Sequence, residues 1–309
     1  MRMKIAIIGT GGVGGYFGGR LAKAGNDVTF LARGKHLEAI LSRGLIVQSI
    51  KENFTLQPVQ ATDSITSIGK VDLVLLCVKS WLVKEMAKDL LPLLKEDTIV
   101  LPLENGVMAA EELRSVIPAH HVLGGLCRII SKIEAPGVIR HFGVDPTIVF
   151  GELNNEKSER VVQLKEVFES AGFNARISHD IQADLWKKFI QICVSGLLGV
   201  TRVPYGGIRE VKETREMMIA LFQEVYDLSQ KMGINIEPEF VEKTVGVIDG
   251  FDYNASASLA RDIWEGRPSE LEYQNGTVVR LAEKYGLDVP VNQFIYSALL
   301  PQERKARKE

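Results

Sequence analysis

Cysteine is scarce in this chain: Cys77, Cys127 and Cys193 are the only three among 309 residues. They lie far apart and show no metal-ligand spacing, and an odd number argues against a disulfide framework. A reducing, cytoplasmic setting is therefore expected, with no bound metal. Long apolar runs are missing too. No stretch approaches the roughly 18–20 residues that span a bilayer. The opening MRMKIAIIGTGG offers only Ile5-Ala6-Ile7-Ile8 before glycine, too short for the core of a secretory signal. Charge of one sign is also lacking: 37 Lys and Arg stand against 39 Asp and Glu, a formal net charge of −2. Neither nucleic acid nor an anionic membrane is expected as a partner. The one charge run, QERKARKE at 302–309, reads as a solvated, frayed terminus. There is no internal repeat and no low-complexity linker. What remains, 46% hydrophobic and 25% charged, is the composition of a folded globular protein. Its length exceeds what one core usually supports, so two domains are expected.

Glycine is abundant, but only locally. Residues 9–19, GTGGVGGYFGG, hold seven of the 28 glycines. The first six of these residues, Gly9-Thr10-Gly11-Gly12-Val13-Gly14, fit G-x-G-x-x-G. A β-rich run at 4–8 precedes them and a helical pattern at 12–24 follows, the context in which this motif binds a dinucleotide. The first glycine permits the tight turn, the second lets the backbone approach a pyrophosphate, and the third lets helix pack on strand. The helix N-terminus then presents free N–H groups and a partial positive charge to the phosphates.

The alternation continues with strands at 27–31, 71–78 and 98–102, a helix at 81–94, and an extra strand pair at 45–49 and 54–59. VDLVLLCV at 71–78 is almost continuously apolar, as in a sheet buried on both faces. This pattern predicts an α/β domain, a Rossmann-type doubly wound parallel sheet. From residue 180 onward the period is almost entirely helical, broken at Pro204-Tyr205-Gly206-Gly207, Gly233, Gly266-Arg267-Pro268 and Gly286. We expect a dinucleotide-binding α/β domain over 1–178 and an all-α domain over 179–309.

The second strand bears on which dinucleotide binds. An NAD-binding fold usually places Asp or Glu near its end, against the ribose 2′-hydroxyl. Here the run is Val28-Thr29-Phe30-Leu31-Ala32-Arg33-Gly34-Lys35, with no carboxylate. A guanidinium such as that of Arg33 suits a 2′-phosphate, so NADP(H) is favoured over NAD. Lys79 and Asn105 close the next two strands, where the ligand crevice of such a sheet lies.

Two further segments stand out, Asp184-Leu185-Trp186-Lys187-Lys188-Phe189 and GRPSELEYQNG at 266–276. Together with GTGGVG, FLARG, CVKSW and ENG they resemble the ketopantoate reductase (2-dehydropantoate 2-reductase) family, from Lys4 to about residue 300. The resemblance implies a helical domain like that of 6-phosphogluconate dehydrogenase and an NADPH-dependent reduction of a 2-keto acid in pantothenate biosynthesis. It assigns the catalytic lysine to Lys188, its acidic partner to Glu270, a substrate-binding serine to Ser258, and cofactor or substrate contacts to Lys79 and Asn105. The chemistry fits these types. As hydride reaches a ketone carbon, negative charge builds on oxygen. A lysine, with a reference pKa of about 10.4, can donate the proton and stabilise that charge. The residue pattern alone leaves Lys187 and Lys188 open, since neighbours point about 100° apart on a helix; the family pattern favours Lys188. Ser269 and Glu272 fit an S-x-x-E capping box, which leaves Glu270 free for the site.

The substrate half departs from the family. Asparagines expected four and eight residues after the catalytic lysine are replaced by Ile192 and Gly196, and a third, in a P-N-G turn, by Tyr205. Glu104 stands where Gln or His is common. Gln191 and Ser195, three and seven residues after Lys188, would lie on its helix face and replace the lost polar groups. The expected partner is a small 2-keto acid, with a homodimer allowed for. Three readings stand: a ketopantoate reductase or a paralogue acting on another 2-keto acid; a hydroxyacid or opine dehydrogenase of the same architecture; and a non-catalytic NADP(H) sensor, which would need the glycine loop and Arg33 but neither Lys188 nor Glu270.

Overall fold

The computed structural model describes residues 2–308; Met1 and Glu309, the two ends of the segments discussed above, lie outside the described residues. The chain separates into two units, Met1–Glu104 with Met108–Ile181, and Asn105–Val107 with Gln182–Glu309. No helix among the described residues is long and apolar enough to cross a membrane.

The first unit runs β1 (Lys4–Ile8), α1 (Gly12–Lys23), β2 (Asp27–Leu31), α2 (Gly34–Arg43), β3 (Leu45–Ser49), β4 (Phe54–Leu56), β5 (Gln60–Thr62), β6 (Leu73–Leu76), α3 (Val83–Asp89), β7 (Ile99–Pro102), α4 (Ala109–Arg114), β8 (Gly124–Ala135), β9 (Val138–Gly151), α5 (Glu159–Ser170) and β10 (Asn174–Ile177). Five strands form one sheet in the order β5-β2-β1-β6-β7, parallel throughout. Its residues alternate between two cores. Ile5, Ile7, Phe30, Leu73 and Leu75 face α1 and α5. Ala6, Ile8, Leu31, Val74 and Leu76 face α3 and α4. This is the doubly wound α/β arrangement that the apolar runs predict.

A second sheet, β10-β9-β3-β4 with β8 on β9, lies on the α1 side. The expected pair at 45–49 and 54–59 is its antiparallel β3–β4 ladder. Strands β8 and β9 form one long hairpin, whose second strand is 14 residues long. Helix α1 is therefore covered on two faces, and glycine is what allows it. A Cβ at position 18 would lie 2.6 Å from Ile7 Cγ1 and 2.7 Å from Phe30 Cε1, on the parallel sheet. A Cβ at position 15 would lie 2.6 Å from Ile139 Cγ1, on the second sheet.

The second unit continues with α6 (Ile181–Thr201, its first residue still in the first unit), α7 (Tyr205–Glu210), α8 (Lys212–Lys231), α9 (Phe240–Asp249), α10 (Ser258–Trp264), α11 (Asn275–Tyr285) and α12 (Pro290–Arg307). Helix α6 is buried nearly all round: Trp186, Phe189, Ile190, Cys193, Val194, Leu197 and Leu198 all lie in the core. A chain of buried polar groups ties its neighbours together. Asn275 Nδ2 donates to Cys193 O at 3.1 Å and to Asn292 Oδ1 at 2.9 Å, and Asn292 Nδ2 donates to Glu224 Oε2 at 2.8 Å. Glu224 also accepts the Val291 and Asn292 N–H groups, which caps α12 from α8.

The C-terminal charge run corrects the reading of a frayed end. Helix α12 continues to Arg307, and Glu303 is only 3% exposed. The reason is that two of its charges have partners in the fold: Glu303 binds both Ser269 and Arg307, while Arg304, Lys305 and Lys308 are exposed.

Because α1 has no spare volume on either face, Gly18→Ala is expected to cost about 1–3 kcal/mol through overpacking against Ile7 and Phe30. Gly25→Ala, with open space but a φ of +91°, should cost a smaller amount from backbone strain alone. Urea unfolding of the two variants measures the difference, and equal midpoints would contradict it.

Candidate active site

The glycine loop joins β1 to α1 and is tied down at Thr10, whose N–H and Oγ both donate to Leu31 O, at 3.1 and 2.8 Å. The four glycines of the loop differ in what surrounds them. Gly9 has a φ of +99°, and a Cβ there would lie 2.7 Å from Cys77 O. A Cβ on Gly14 would collide with Gly9 O. Gly12, at the start of α1, lies under β8, 2.5 Å from Ser131 O by the same measure. Gly11 differs: a Cβ there would meet no atom within 4 Å. It is the N-cap of α1, no side chain caps that helix, and no acidic residue stands in its first turn. Val13 is half-buried beside it. Uncapped N–H groups beside an unfilled Cβ direction are what a pyrophosphate needs, so the residues present fit a nicotinamide dinucleotide.

Arg33 closes β2 as the N-cap of α2, exposed, and its guanidinium has no hydrogen-bond or ion-pair partner among the described residues. Lys35 follows, also exposed. Lys79 lies three residues past the end of β6, exposed, with its ammonium 5.6 Å from the Trp81 ring centre. Glu104, at the end of β7, is buried and accepts the Val78 N–H at 3.2 Å, which holds the ends of β6 and β7 together. Burial and the nearby Glu104 carboxylate push the Cys77 thiol well up, so it stays protonated.

The three residues Asn105–Val107 belong to the second unit, although they follow a strand of the first. Val107 packs on the helical core. Gly106, at a φ of +104°, runs 3.0 Å from Tyr273 O by its Cβ direction. Asn105 Nδ2 thereby reaches Glu270 Oε2 at 3.1 Å, a contact between residues 165 positions apart. Glu270 is 6% exposed and precedes a short 3-10 turn, Leu271–Tyr273, whose Tyr273 N–H it accepts on its backbone oxygen at 3.0 Å.

The capping box expected at Ser269 and Glu272 is not formed. Glu272 accepts from Tyr296 Oη and Arg280 Nη1, both at 2.6 Å, and Ser269 Oγ donates to Glu303 Oε2 at 2.6 Å. Stronger partners from α11 and α12 displace the local pairing.

On α6 the two adjacent lysines separate. Lys187 pairs with Glu237 at 2.5 Å and lies over the Phe240 ring. Its hydrogen bond holds the Glu237 carboxyl below the usual range. Lys188, half-buried, faces about 100° away. Gln191 and Ile192 are half-buried in the next turn, and Ser195 is buried. Gly196 is explained by packing: a Cβ there would collide with Asn275 Oδ1 and lie 2.6 Å from Ile295 Cγ2. Its small size therefore serves the core rather than marking a lost polar contact. Tyr205 is buried edge-to-face on Phe251 with ring centres 5.1 Å apart, and its N–H donates to Ala255 O at 3.0 Å. Burial pushes its hydroxyl up to about 12. Ser258, three residues further on, is exposed at the start of α10.

The chain matches two family models, "Ketopantoate reductase PanE/ApbA" over residues 5–155 and "Ketopantoate reductase PanE/ApbA C terminal" over residues 180–303. It is 32% identical to a 2-dehydropantoate 2-reductase of a Nostoc species over 303 residues, covering 96% of this chain and 94% of that one. It is also 32% identical to an uncharacterized oxidoreductase of Bacillus subtilis, YkpB, over 298 residues, 96% and 98% of the two chains. A PanE/ApbA family ketopantoate reductase structure from Ralstonia eutropha superposes with a TM-score of 0.91 at 29% identity, over 99% of this chain and all of the other. The protein belongs to the ketopantoate reductase family, and is thus an oxidoreductase acting on a CH–OH group with a nicotinamide cofactor.

The glycine geometry separates folding from binding. Gly11→Ala is expected to keep the wild-type melting temperature, because nothing in the protein opposes its Cβ, and to weaken nicotinamide dinucleotide binding by tenfold or more. Gly14→Ala should lose stability. Thermal melts with fluorescence titration of the reduced dinucleotide test the pair; unchanged binding in Gly11→Ala would contradict the assignment.

Proposed function

We propose that the protein reduces 2-dehydropantoate to pantoate with NADPH. The observation that carries this reading is the Asn105–Glu270 hydrogen bond: two residues assigned to the site by separate motifs, 165 positions apart, meet in one unit. The names of the relatives support the same substrate.

NADPH, when bound, supplies the hydride that goes to C2 of the keto acid, while a proton goes to the carbonyl oxygen. Gly9, Thr10, Gly11, Gly12, Val13 and Gly14 bind the pyrophosphate with backbone N–H groups at the start of α1. The unpartnered guanidinium of Arg33 takes the 2′-phosphate. Lys79 and Asn105 bind further along the cofactor, Asn105 from the turn that also carries it to Glu270. Lys188 donates the proton from its ammonium and stabilises the oxygen as charge builds on it. Lys187, by contrast, is paired with Glu237. Glu270 orients groups around it through hydrogen bonds, and Gln191, Ser195 and Ser258 contact the substrate.

A second reading, the same reaction on another small 2-keto acid, is favoured by Ile192 and Tyr205, which stand where the family has asparagines. A site that lacks hydrogen-bonding groups selects weakly for a polar substrate.

Three measurements test these assignments. Arg33→Ala should weaken NADPH binding by about 10- to 100-fold and leave NADH nearly unchanged, as loss of a charge-assisted pair requires; equal loss for both would argue against NADP. Lys188→Ala should lower kcat by about 100- to 10,000-fold while retaining NADPH binding; an unchanged kcat would remove Lys188 from the chemistry. NADPH oxidation across a panel of 2-keto acids should be fastest with 2-dehydropantoate, whereas a clear preference for a keto acid with an apolar side chain would favour the second reading.

A further inference from the structure

Glu270 sits one residue after the most heavily bonded residue of its segment. Ser269 is fully buried. Its N–H donates to both oxygens of Glu303, at 3.0 and 3.1 Å, and its Oγ donates to Glu303 Oε2 at 2.6 Å. Its carbonyl accepts from Arg307 Nη2 at 2.6 Å, and Arg307 Nε donates back to Glu303 Oε1 at 2.6 Å. Every polar atom of Ser269 is thus held by two residues one turn apart on α12. Ser269 Oγ also accepts the Leu271 N–H at 3.3 Å, which carries the restraint past Glu270 into the 3-10 turn. The Glu270 backbone oxygen accepts the Tyr273 and Gln274 N–H groups, both at 3.0 Å, so its main chain is held on both sides.

We propose that Glu303 and Arg307 are positioning residues for Glu270. They clamp the Ser269 peptide unit and so fix where the next side chain leaves the backbone, aimed at Asn105. The inference rests on the role given to Glu270 above. Consecutive Cα atoms are about 3.8 Å apart across a rigid peptide, so a locked Ser269 leaves Glu270 little freedom beyond its own side-chain rotations. A misplacement of about 1 Å in a catalytic constellation can cost on the order of a hundredfold in rate. Arg307 and Glu303 form an i,i+4 pair with the guanidinium in the last turn of α12. That placement suits the helix dipole, but an exposed pair would serve the dipole as well. Burial against Ser269 points to the additional role.

The test uses the full-length chain carrying Glu303→Gln, which keeps the size of the side chain and replaces one acceptor oxygen with a donor. Two readouts are taken. Amide hydrogen exchange at Leu271, Tyr273 and Gln274 should speed up by tenfold or more, with exchange in α8 unchanged. The value of kcat should fall by tenfold or more, with NADPH binding within threefold of wild type. In a Glu270→Gln background the same substitution should lower kcat by less than threefold, since a residue that acts only through Glu270 has nothing left to position. A purely structural role would cost the same factor in both backgrounds, and that result, or unchanged exchange at 271–274, overturns the proposal. Ser269→Ala, which removes only the hydroxyl bonds, should move both readouts the same way by a smaller factor, and carries the test if Glu303→Gln does not fold. If the wild-type protein reduces no 2-keto acid, the functional reading fails on that ground, and the exchange measurement still decides whether the clamp exists.

Discussion

Helix α1 has a sheet against each of two faces, and this close approach governs the first unit. Each contact is made where a methyl group would overlap a neighbour: Gly18 against the parallel sheet, Gly15 against the hairpin sheet, Gly12 beneath β8. A helix packed so tightly has one possible depth and rotation, because interiors are close-packed and tolerate little added volume. Its N-terminus is then held at the end of β1, and Gly11 is the one motif position left open around it. On the role proposed for this loop, binding geometry and packing are two consequences of the same constraint. That is why seven glycines sit in eleven residues when a dinucleotide fingerprint by itself needs three.

The second unit solves a different problem by a different means. Its helix α6 buries a broad apolar surface, from Trp186 to Leu198, and apolar contact alone does not align its neighbours. Alignment comes from buried carboxylates that reach helix or turn N–H groups from a distance. Glu224 on α8 caps α12, and Glu303 on α12 holds Ser269. A carboxylate with several N–H donors is satisfied and directional, whereas apolar packing alone tolerates small slips. The polar chain from Cys193 O through Asn275 and Asn292 to Glu224 extends this, and it makes Gly196 necessary, since Asn275 Oδ1 occupies the space beside it.

What could be read from the residues follows the range of the forces involved. The parallel sheet, its two cores and the strand–loop–helix context of the glycine motif are legible because apolar periodicity is a local property of the chain. Strand β5, three residues at the sheet edge, escapes notice because so short an element has no period. The S-x-x-E pattern at 269–272 is a local signal overridden by tertiary partners: Ser269 finds Glu303, and Glu272 finds Tyr296. The charged tail fails as a sign of fraying for the same reason, because composition does not show which residues will meet a buried donor. Helix geometry tells that Lys187 and Lys188 diverge, but that Lys187 is the occupied one depends on Glu237, fifty residues on. The turn that carries Asn105 into the second unit has no signature beyond the glycine that follows it.

The three departures on the substrate side are physically unequal, which narrows what they can mean. Gly196 is accounted for by packing against Asn275 and Ile295, so it carries no information about a ligand. Tyr205 is largely absorbed by its edge-to-face contact with Phe251 and by its backbone bond to Ala255, which ties α7 to the segment leading to Ser258. Ile192 differs from both: it is half-buried, one turn beyond Lys188, at the margin of the helical core. If discrimination between keto acids has shifted in this protein, we propose that the shift acts at this apolar position, one turn from the lysine proposed as proton donor. A branched aliphatic side chain in contact with the substrate would reward an apolar carbon and leave a hydroxyl unmatched. By the asymmetry of such sites, the penalty falls on the hydroxyl-bearing acid as lost attraction and not as a clash.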